Sequence, residues 1–272
     1  MPSTASTSGA PPTQPPAGDI DAPHARVPRP FVPGPVAAVA AAFFGALSRV
    51  RGARIFHPKG VGYDAVLAVE APRADYADVS LLARPGRHPA LVRFSYAAGL
   101  PDRWPDALGL ALRISDVYGV GRHQDFLLIT SGARPLSQHL ILPAPRGFRA
   151  SSYSSLLPYR FGNQVRVVAM RPLAGTMPGP GGALADLVRA AAEGDVRFDL
   201  CLGALSGGRD RVARLEIGAR MDDRSVERLA FNPWHTGGGI RPVGPLMGLR
   251  RPAYAGSQRG RRADPGPVED PA

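Results

Sequence analysis

Cysteine is almost absent from this chain, because Cys201 is the only one among 272 residues. A single thiol can form neither an internal disulfide nor a cysteine-based zinc site. This scarcity fits a reducing compartment or a fold that needs no covalent cross-links. We therefore expect a cytoplasmic protein.

Long apolar runs are also missing. The longest, Val36–Leu47, is too short to span a bilayer as a helix. Residues 1–19 contain no basic residue and no apolar stretch, so they do not resemble a secretory signal. The sequence predicts no integral membrane segment.

Lysine is nearly absent as well, since Lys59 is the only one among 33 basic residues and the others are arginine. Against 22 acidic residues, the formal net charge is +11. One interpretation is compositional bias of the whole chain. The other is anion recognition, because the planar guanidinium group donates in pairs to carboxylates and phosphates.

Glycine and proline are abundant instead, with 32 and 30 residues. Such frequent turns exclude coiled coils and helical arrays. The composition predicts a disordered tail rich in Pro, Ser and Ala over residues 1–34, one domain over 35–262 and a flexible tail over 263–272.

Within this domain the hydrophobic periodicity predicts mainly strands, separated by turn residues. The predicted strands are Tyr63–Val69, Ala90–Tyr96, Leu108–Ile114, Asp125–Thr130, Gln164–Met170, Val196–Leu202 and Val212–Ala219. Helices are predicted at Val36–Val50, Gly182–Ala192 and Pro245–Arg262. This pattern favours an α+β fold that is mainly β, either an antiparallel barrel or a sandwich.

Three segments contain candidate functional residues. In the last predicted helix, one face presents Arg250, Tyr254, Gln258 and Arg261. A second segment, Arg54–Gly62, holds His57 and Lys59 at a strand end, and the third is the short strand Arg93-Phe94-Ser95. Taken alone, the three segments are more typical of structural features, namely a solvated basic helix end, a structural histidine and an ordinary strand.

Together, their order and spacing resemble the haem catalase superfamily. Its Arg-x-x-His-x-Lys-Gly segment matches Arg54–Gly60, its Arg-Phe-Ser strand matches Arg93–Ser95, and its Arg-x-x-x-Tyr-x-x-x-Gln-Arg-x-Arg helix matches Arg250–Arg261. Asp106–Gly109 looks like the family's Asp-x-x-Gly turn, and Phe231–Pro233 precedes the tyrosine helix as it does in the family. The resemblance implies an eight-stranded antiparallel β-barrel with flanking helices.

The resemblance also implies haem b as the cofactor, with Tyr254 as the iron ligand, the tyrosine ligation known from catalase. Arg54, Arg93 and Arg261 match the family's haem arginines, whose donors suit the two propionate carboxylates. Arg250 and Gln258 lie one helical turn on either side of the tyrosine, and the resemblance implies that they too contribute to haem binding. Phe56 is expected to cover the haem face or, equally, to be a core strand residue.

On the other haem face, the resemblance makes His57 the proton shuttle between the two peroxide oxygens, with Ser95 fixing its tautomer. Catalases place an asparagine pair in this pocket, and the pair aligns with Ile129 and Thr130. Thr130 is then the candidate replacement for the missing amide. One hydroxyl donor in place of an amide implies weak catalase activity.

These expectations describe a haem peroxidase that uses hydrogen peroxide or organic hydroperoxides together with a small organic reductant. One alternative is an enzyme resembling allene oxide synthase, which has the same fold with a threonine in the distal pocket and rearranges hydroperoxides. The others are a non-enzymatic haem-binding protein and a basic nucleic-acid module. We expect no nucleic-acid partner and a monomer or small homo-oligomer.

Overall fold

The computed structural model describes residues 60–71, 73–97, 106–134, 136–144, 147–173, 183–204 and 208–243. The predicted tails at 1–34 and 263–272 lie outside these ranges. So do the predicted helices at Val36–Val50 and Pro245–Arg262.

The described residues form ten strands and two α-helices. The strands are β1 (Gly60–Val69), β2 (Gly86–Tyr96), β3 (Leu108–Ile114), β4 (Gln124–Thr130), β5 (Tyr153–Ser154), β6 (Tyr159–Phe161), β7 (Gln164–Pro172), β8 (Arg197–Gly203), β9 (Arg209–Arg220) and β10 (Ile240–Pro242). The helices are α1 (Ala183–Ala192) and α2 (Asp223–Arg228), and 3-10 turns occur at Ala74–Tyr76 and Ser137–His139.

Eight of the strands close into an antiparallel barrel. Neighbouring strands follow the order β8, β9, β1, β2, β3, β4, β5 and β7, and β7 pairs again with β8. The short strands β6 and β10 extend from β7 outside the closed ring. The predicted mainly-β class and the eight-stranded antiparallel barrel are therefore confirmed.

The hydrophobic core fills the inside of the barrel, because alternate side chains of each strand point inward. On β2, Val92 and Phe94 are completely buried. The Phe94 ring lies 5.9 Å from that of Phe148 and 6.0 Å from that of Phe198, so aromatic packing links the barrel wall to the loop before β5. Burying side chains of this size stabilises the fold by about 1.5–3 kcal/mol each.

All seven predicted strands and the helix at Gly182–Ala192 are present, with boundaries shifted by a few residues. The sequence did not predict the eighth barrel strand, β5, because two residues are too short to show a period. It also missed α2, which starts where the Asp222 carboxylate accepts a hydrogen bond from the Ser225 N–H at 2.9 Å. The expected turn at Asp106–Gly109 is wrong, since Leu108 and Gly109 already belong to β3.

Candidate functional site

Two predicted site residues lie together on the outside of the barrel. Because Phe94 points inward, its neighbours Arg93 and Ser95 point outward and are half-buried. Ser95 pairs with Gly60 on β1 and with Gly109 on β3, and Gly109 pairs with Ile129 on β4. Cross-strand partners share a face. We call the surface formed by Gly60, Arg93, Ser95, Gly109 and Ile129 the outer patch.

Gly60 and Gly109 place no side chains of their own next to Arg93 and Ser95 in the outer patch. A Cβ atom on Gly60 would lie 2.8 Å from the Phe94 carbonyl oxygen and 3.1 Å from Arg93 Nη2. A Cβ atom on Gly109 would lie 3.1 Å from Ser95 Oγ. Any larger residue at these positions would therefore push against the backbone or against the two polar side chains.

Helix α2 covers the wall beside the outer patch. A Cβ atom on Gly62 would lie only 2.5 Å from Val226 Cγ2, so glycine is needed there for the helix to pack against β1. Val226 is buried by this contact. The helix thus marks one boundary of the patch.

Thr130 does not lie on the outer patch. It is the neighbour of Ile129 on β4, so its side chain points to the opposite face, and it is only 2% exposed. Its hydroxyl donates to the Leu142 carbonyl at 2.6 Å and accepts from the Leu108 N–H at 3.1 Å. The structure therefore brings Ile129, and not Thr130, to the face that carries Ser95.

The remaining predicted site residues lie outside the described residues. They are Arg54, Phe56, His57, Arg250, Tyr254, Gln258 and Arg261. From the first motif, Gly60 is described and lies on the outer patch, at the start of β1.

A buried ionic cluster that the sequence did not reveal lies on the same outer wall. Arg113 on β3 donates to both carboxylate oxygens of Asp125 on β4, at 2.8 and 2.7 Å. The same carboxylate accepts the Asn232 N–H at 2.8 Å and lies 3.0 Å from His235 Nδ1. Arg113 also stacks over the Phe231 ring at 5.3 Å. We call this cluster the clamp, because it fastens the 230–236 segment to the barrel.

The hydrogen bonds of the clamp define the tautomer of neutral His235. Its Nδ1 is 3.0 Å from Asp125 Oδ2 and 3.3 Å from Arg113 Nη2, and it cannot bond to both. Nη2 already donates to Asp125 and to the Ala230 carbonyl, at 2.7 and 2.6 Å, which uses both of its hydrogens. Nδ1 therefore donates to Asp125, which leaves Nε2 as the unprotonated nitrogen of a neutral side chain that is 41% exposed.

The clamp was missed because its members are distant in sequence. Arg113 and Asp125 come together only through the β3–β4 register, and His235 is more than 100 residues further along. The two predicted strands Leu108–Ile114 and Asp125–Thr130 contained a usable signal. An antiparallel pairing of the two strands in the observed register places the arginine opposite the aspartate.

The single thiol lies on the outside of the barrel, on β8, and is buried. Burial raises the pKa of Cys201, and the nearby Asp199 carboxylate raises it further, while Arg171, Arg209 and Arg211 act in the opposite direction. The raised pKa keeps the thiol protonated at neutral pH. The group is therefore a poor nucleophile.

Within the part of the chain that the structure describes, no three His, Cys, Asp or Glu side chains are grouped so as to hold a metal ion. No helix in these ranges has the length and apolar character needed to cross a membrane. A scan against protein-family models found no match, and a search of curated proteins also found none.

Proposed function

We propose that this chain is a haem-dependent peroxidase with a fold of the catalase superfamily, and that it reduces hydrogen peroxide or organic hydroperoxides. The supporting observation is the outer patch. Arg93 and Ser95, to which the resemblance assigns the haem carboxylates and the distal histidine, project from the same side of β2. They stand beside Gly60, the last residue of the predicted histidine motif.

The outer patch fits the shape and charge of haem. A flat ring needs a surface with few projecting side chains, and Gly60 and Gly109 add none of their own, although Arg93 Nη2 and Ser95 Oγ lie about 3.1 Å from where their Cβ atoms would stand. A propionate carboxylate needs a paired donor such as the Arg93 guanidinium. Aliphatic Ile129 adds apolar contact for the ring.

The other residues are assigned by the resemblance. Arg54 and Arg261 complete the binding of the propionates, and Tyr254 is the iron ligand. Haem supplies the iron at which the peroxide is reduced. His57 precedes Gly60 by three residues, so covalent geometry keeps their Cα atoms within about 11 Å. In the proposed reaction, the His57 imidazole moves a proton from one peroxide oxygen to the other, and the Ser95 hydroxyl orients the imidazole ring.

The placement of residues 129 and 130 favours peroxidase over catalase and over rearrangement. Ile129, which faces the outer patch, has no hydrogen-bond donor to orient a second peroxide. The rearranging alternative depended on a threonine in the pocket, whereas the Thr130 hydroxyl points to the other face, donates to the Leu142 carbonyl and accepts from the Leu108 N–H. Peroxidase turnover requires only electrons from an organic donor, so it needs neither a hydrogen-bond donor at position 129 nor the Thr130 hydroxyl.

Reconstitution with haemin tests the proposal. We expect the full chain to bind one haem with a high-spin ferric spectrum, and Tyr254→Phe to abolish or greatly weaken that ligation. Arg93→Ala should weaken haem binding at least tenfold. Arg87→Ala is the matched control, since Arg87 lies on the same strand but pairs with Glu216 at 2.7 Å at the other end. A wild-type chain that binds no haem, or an Arg93 variant that binds it like the control, contradicts the proposal.

A further inference from the structure

Two imidazole rings lie side by side at the edge of the clamp. The ring of His123, which immediately precedes β4, is 6.3 Å from the ring of His235 between centres, and the two planes are inclined by 66°. Both side chains reach solvent, with 24% of His123 and 41% of His235 exposed. We call these two residues the imidazole pair.

The hydrogen bonds of the two rings give them opposite roles. The Asp116 N–H donates to His123 Nδ1 at 3.0 Å, so neutral His123 carries its hydrogen on Nε2. Neutral His235 carries its hydrogen on Nδ1, which donates to Asp125. The imidazole pair therefore has a donor at one Nε2 and an acceptor at the other.

Both Nε2 atoms are open to a ligand. Neither forms a hydrogen bond with another residue that the structure describes. Neither is among the buried side-chain nitrogens and oxygens that lack a partner in these ranges, so both are in contact with solvent. A hydroxyl group can donate and accept at the same time, so it suits this combination.

Aliphatic side chains continue the surface from the clamp towards the outer patch. Leu127 and Ala111 are cross-strand partners on the outer face of the barrel, and both are half-buried. On β4, Leu127 lies between Asp125 and Ile129, which are about 13 Å apart along the strand. The imidazole pair thus has apolar surface beside it, on the wall that carries the proposed haem site.

We propose that the imidazole pair binds the organic reductant and that this reductant is a phenol, an inference that rests on the proposed function. The phenol hydroxyl donates to His235 Nε2 and accepts from His123 Nε2–H. Peroxidase turnover needs only electrons, but a phenol that gives up an electron must also lose its hydroxyl proton.

His235 takes that proton. The phenol O–H bond breaks, the proton goes to His235 Nε2, the electron goes to the haem that peroxide has oxidised, and a phenoxyl radical leaves. The buried Asp125 carboxylate stabilises the imidazolium that forms. Two phenols supply the two electrons and two protons that convert one hydrogen peroxide into two water molecules.

Titration of p-cresol into the full-length protein, followed by NMR of isotopically labelled histidine side chains, tests binding without haem. We expect saturable shifts at Nε2 of His235 and His123, and none at His88, whose Nε2 is buried. 4-Methylanisole has no hydroxyl proton to donate to His235 and should bind at least tenfold more weakly. His235→Ala should weaken p-cresol binding similarly. His139→Ala is the matched control and should bind like wild type, because its Nδ1 lies 2.9 Å from the Leu156 carbonyl.

Donors with and without a proton separate the role of His235 from that of haem. In the haem-loaded protein, His235→Ala should lower kcat/KM for p-cresol tenfold or more. The value for ferrocyanide, which gives up an electron but no proton, should change less than twofold. Circular dichroism confirms that the variant is folded, and if it is not, the comparison of p-cresol with 4-methylanisole on wild type decides.

The failure of this proposal differs from the failure of the proposed function. Binding of p-cresol at His235 without any binding of haem would contradict the peroxidase but support the phenol site. The phenol site is overturned if p-cresol shifts no His235 signal, or if 4-methylanisole binds as tightly. It is also overturned if His235→Ala oxidises p-cresol as fast as His139→Ala does.

Discussion

Arg113 and Asp125 face each other across β3 and β4 as a bidentate ion pair on the outer wall of the barrel, with the carboxylate fully buried and the arginine side chain 13% exposed. Buried charges are retained only when they are paired and hydrogen-bonded. Here the pair also holds the backbone of Ala230 and Asn232. The clamp thus connects the barrel to the segment that leads towards the C-terminal tyrosine motif.

Removing one partner of the clamp should destabilise the protein strongly. Asp125→Asn leaves the Arg113 guanidinium without its counter-charge, and we expect a loss of about 3–5 kcal/mol in the free energy of unfolding. Urea unfolding followed by circular dichroism measures it. Glu216→Gln is the control, because its exposed pair with Arg87 should contribute less than about 1 kcal/mol. Equal effects from the two substitutions would show that the clamp is not a stabilising unit.

The glycine beneath Arg93 should be intolerant of even one methyl group. Gly60→Ala places a Cβ atom 2.8 Å from the Phe94 carbonyl, which is backbone and cannot rotate away. We expect a cost of about 1–3 kcal/mol, measured by thermal unfolding. At Gly86, the nearest atom to an added Cβ is the end of the His88 ring, at 3.1 Å. Gly86→Ala should therefore cost clearly less, and the opposite order would contradict this account of the outer patch.

The sequence predicted the barrel well because most of its strands are long enough to show their alternation. On β3, for example, Leu108, Leu110, Leu112 and Ile114 are buried in turn. The pattern could not fix the register of strand pairing, and the register decides which residue of β4 shares a face with Ser95. Choosing between Ile129 and Thr130 as the neighbour of Ser95 required the pairing through Gly109. The resemblance pointed to both residues, and the structure separates them by face.

The buried thiol should make stability fall at high pH. Because the folded protein raises the pKa of Cys201, its stabilising contribution is complete below the pKa of the unfolded thiol, about 8.5, and is lost as the pH rises through the folded value. Between pH 7 and 9.5, wild type should therefore lose more stability than Cys201→Ala. Urea unfolding at both pH values measures the difference. Parallel losses in the two proteins would mean that other groups, such as buried tyrosines, account for the whole effect.

Because His57 is the proposed proton carrier, replacing it should slow the reaction with peroxide. In the haem-loaded protein, His57→Ala should retain the cofactor and react with hydrogen peroxide about 10²-fold more slowly or worse, the loss expected for an acid–base group. Stopped-flow absorbance measures the rate. His139→Ala is the control, since its Nδ1 lies 2.9 Å from the Leu156 carbonyl in a loop. A His57 variant within twofold of wild type would exclude the assigned role.

The opposite orientations of Ile129 and Thr130 yield the sharpest test of the outer patch. Oxygen evolution from hydrogen peroxide needs a second peroxide to be oriented, whereas oxidation of a phenolic dye needs only electrons. Ile129→Asn introduces a donor on the face of Ser95, and one neutral hydrogen bond contributes about 0.5–1.5 kcal/mol, or up to about tenfold in rate. We expect oxygen evolution to rise severalfold while dye oxidation changes much less.

Thr130→Asn supplies the matched comparison, because it places the same amide on the other face of the same strand. It disrupts the bonds to Leu108 and Leu142, so it should cost about 1–3 kcal/mol of stability and leave oxygen evolution per haem unchanged. An oxygen electrode and a dye assay on the same haem-loaded preparations measure both activities. If Thr130→Asn raised oxygen evolution and Ile129→Asn did not, the peroxide would be bound on the inner side of β4, and the outer patch would not be the peroxide site.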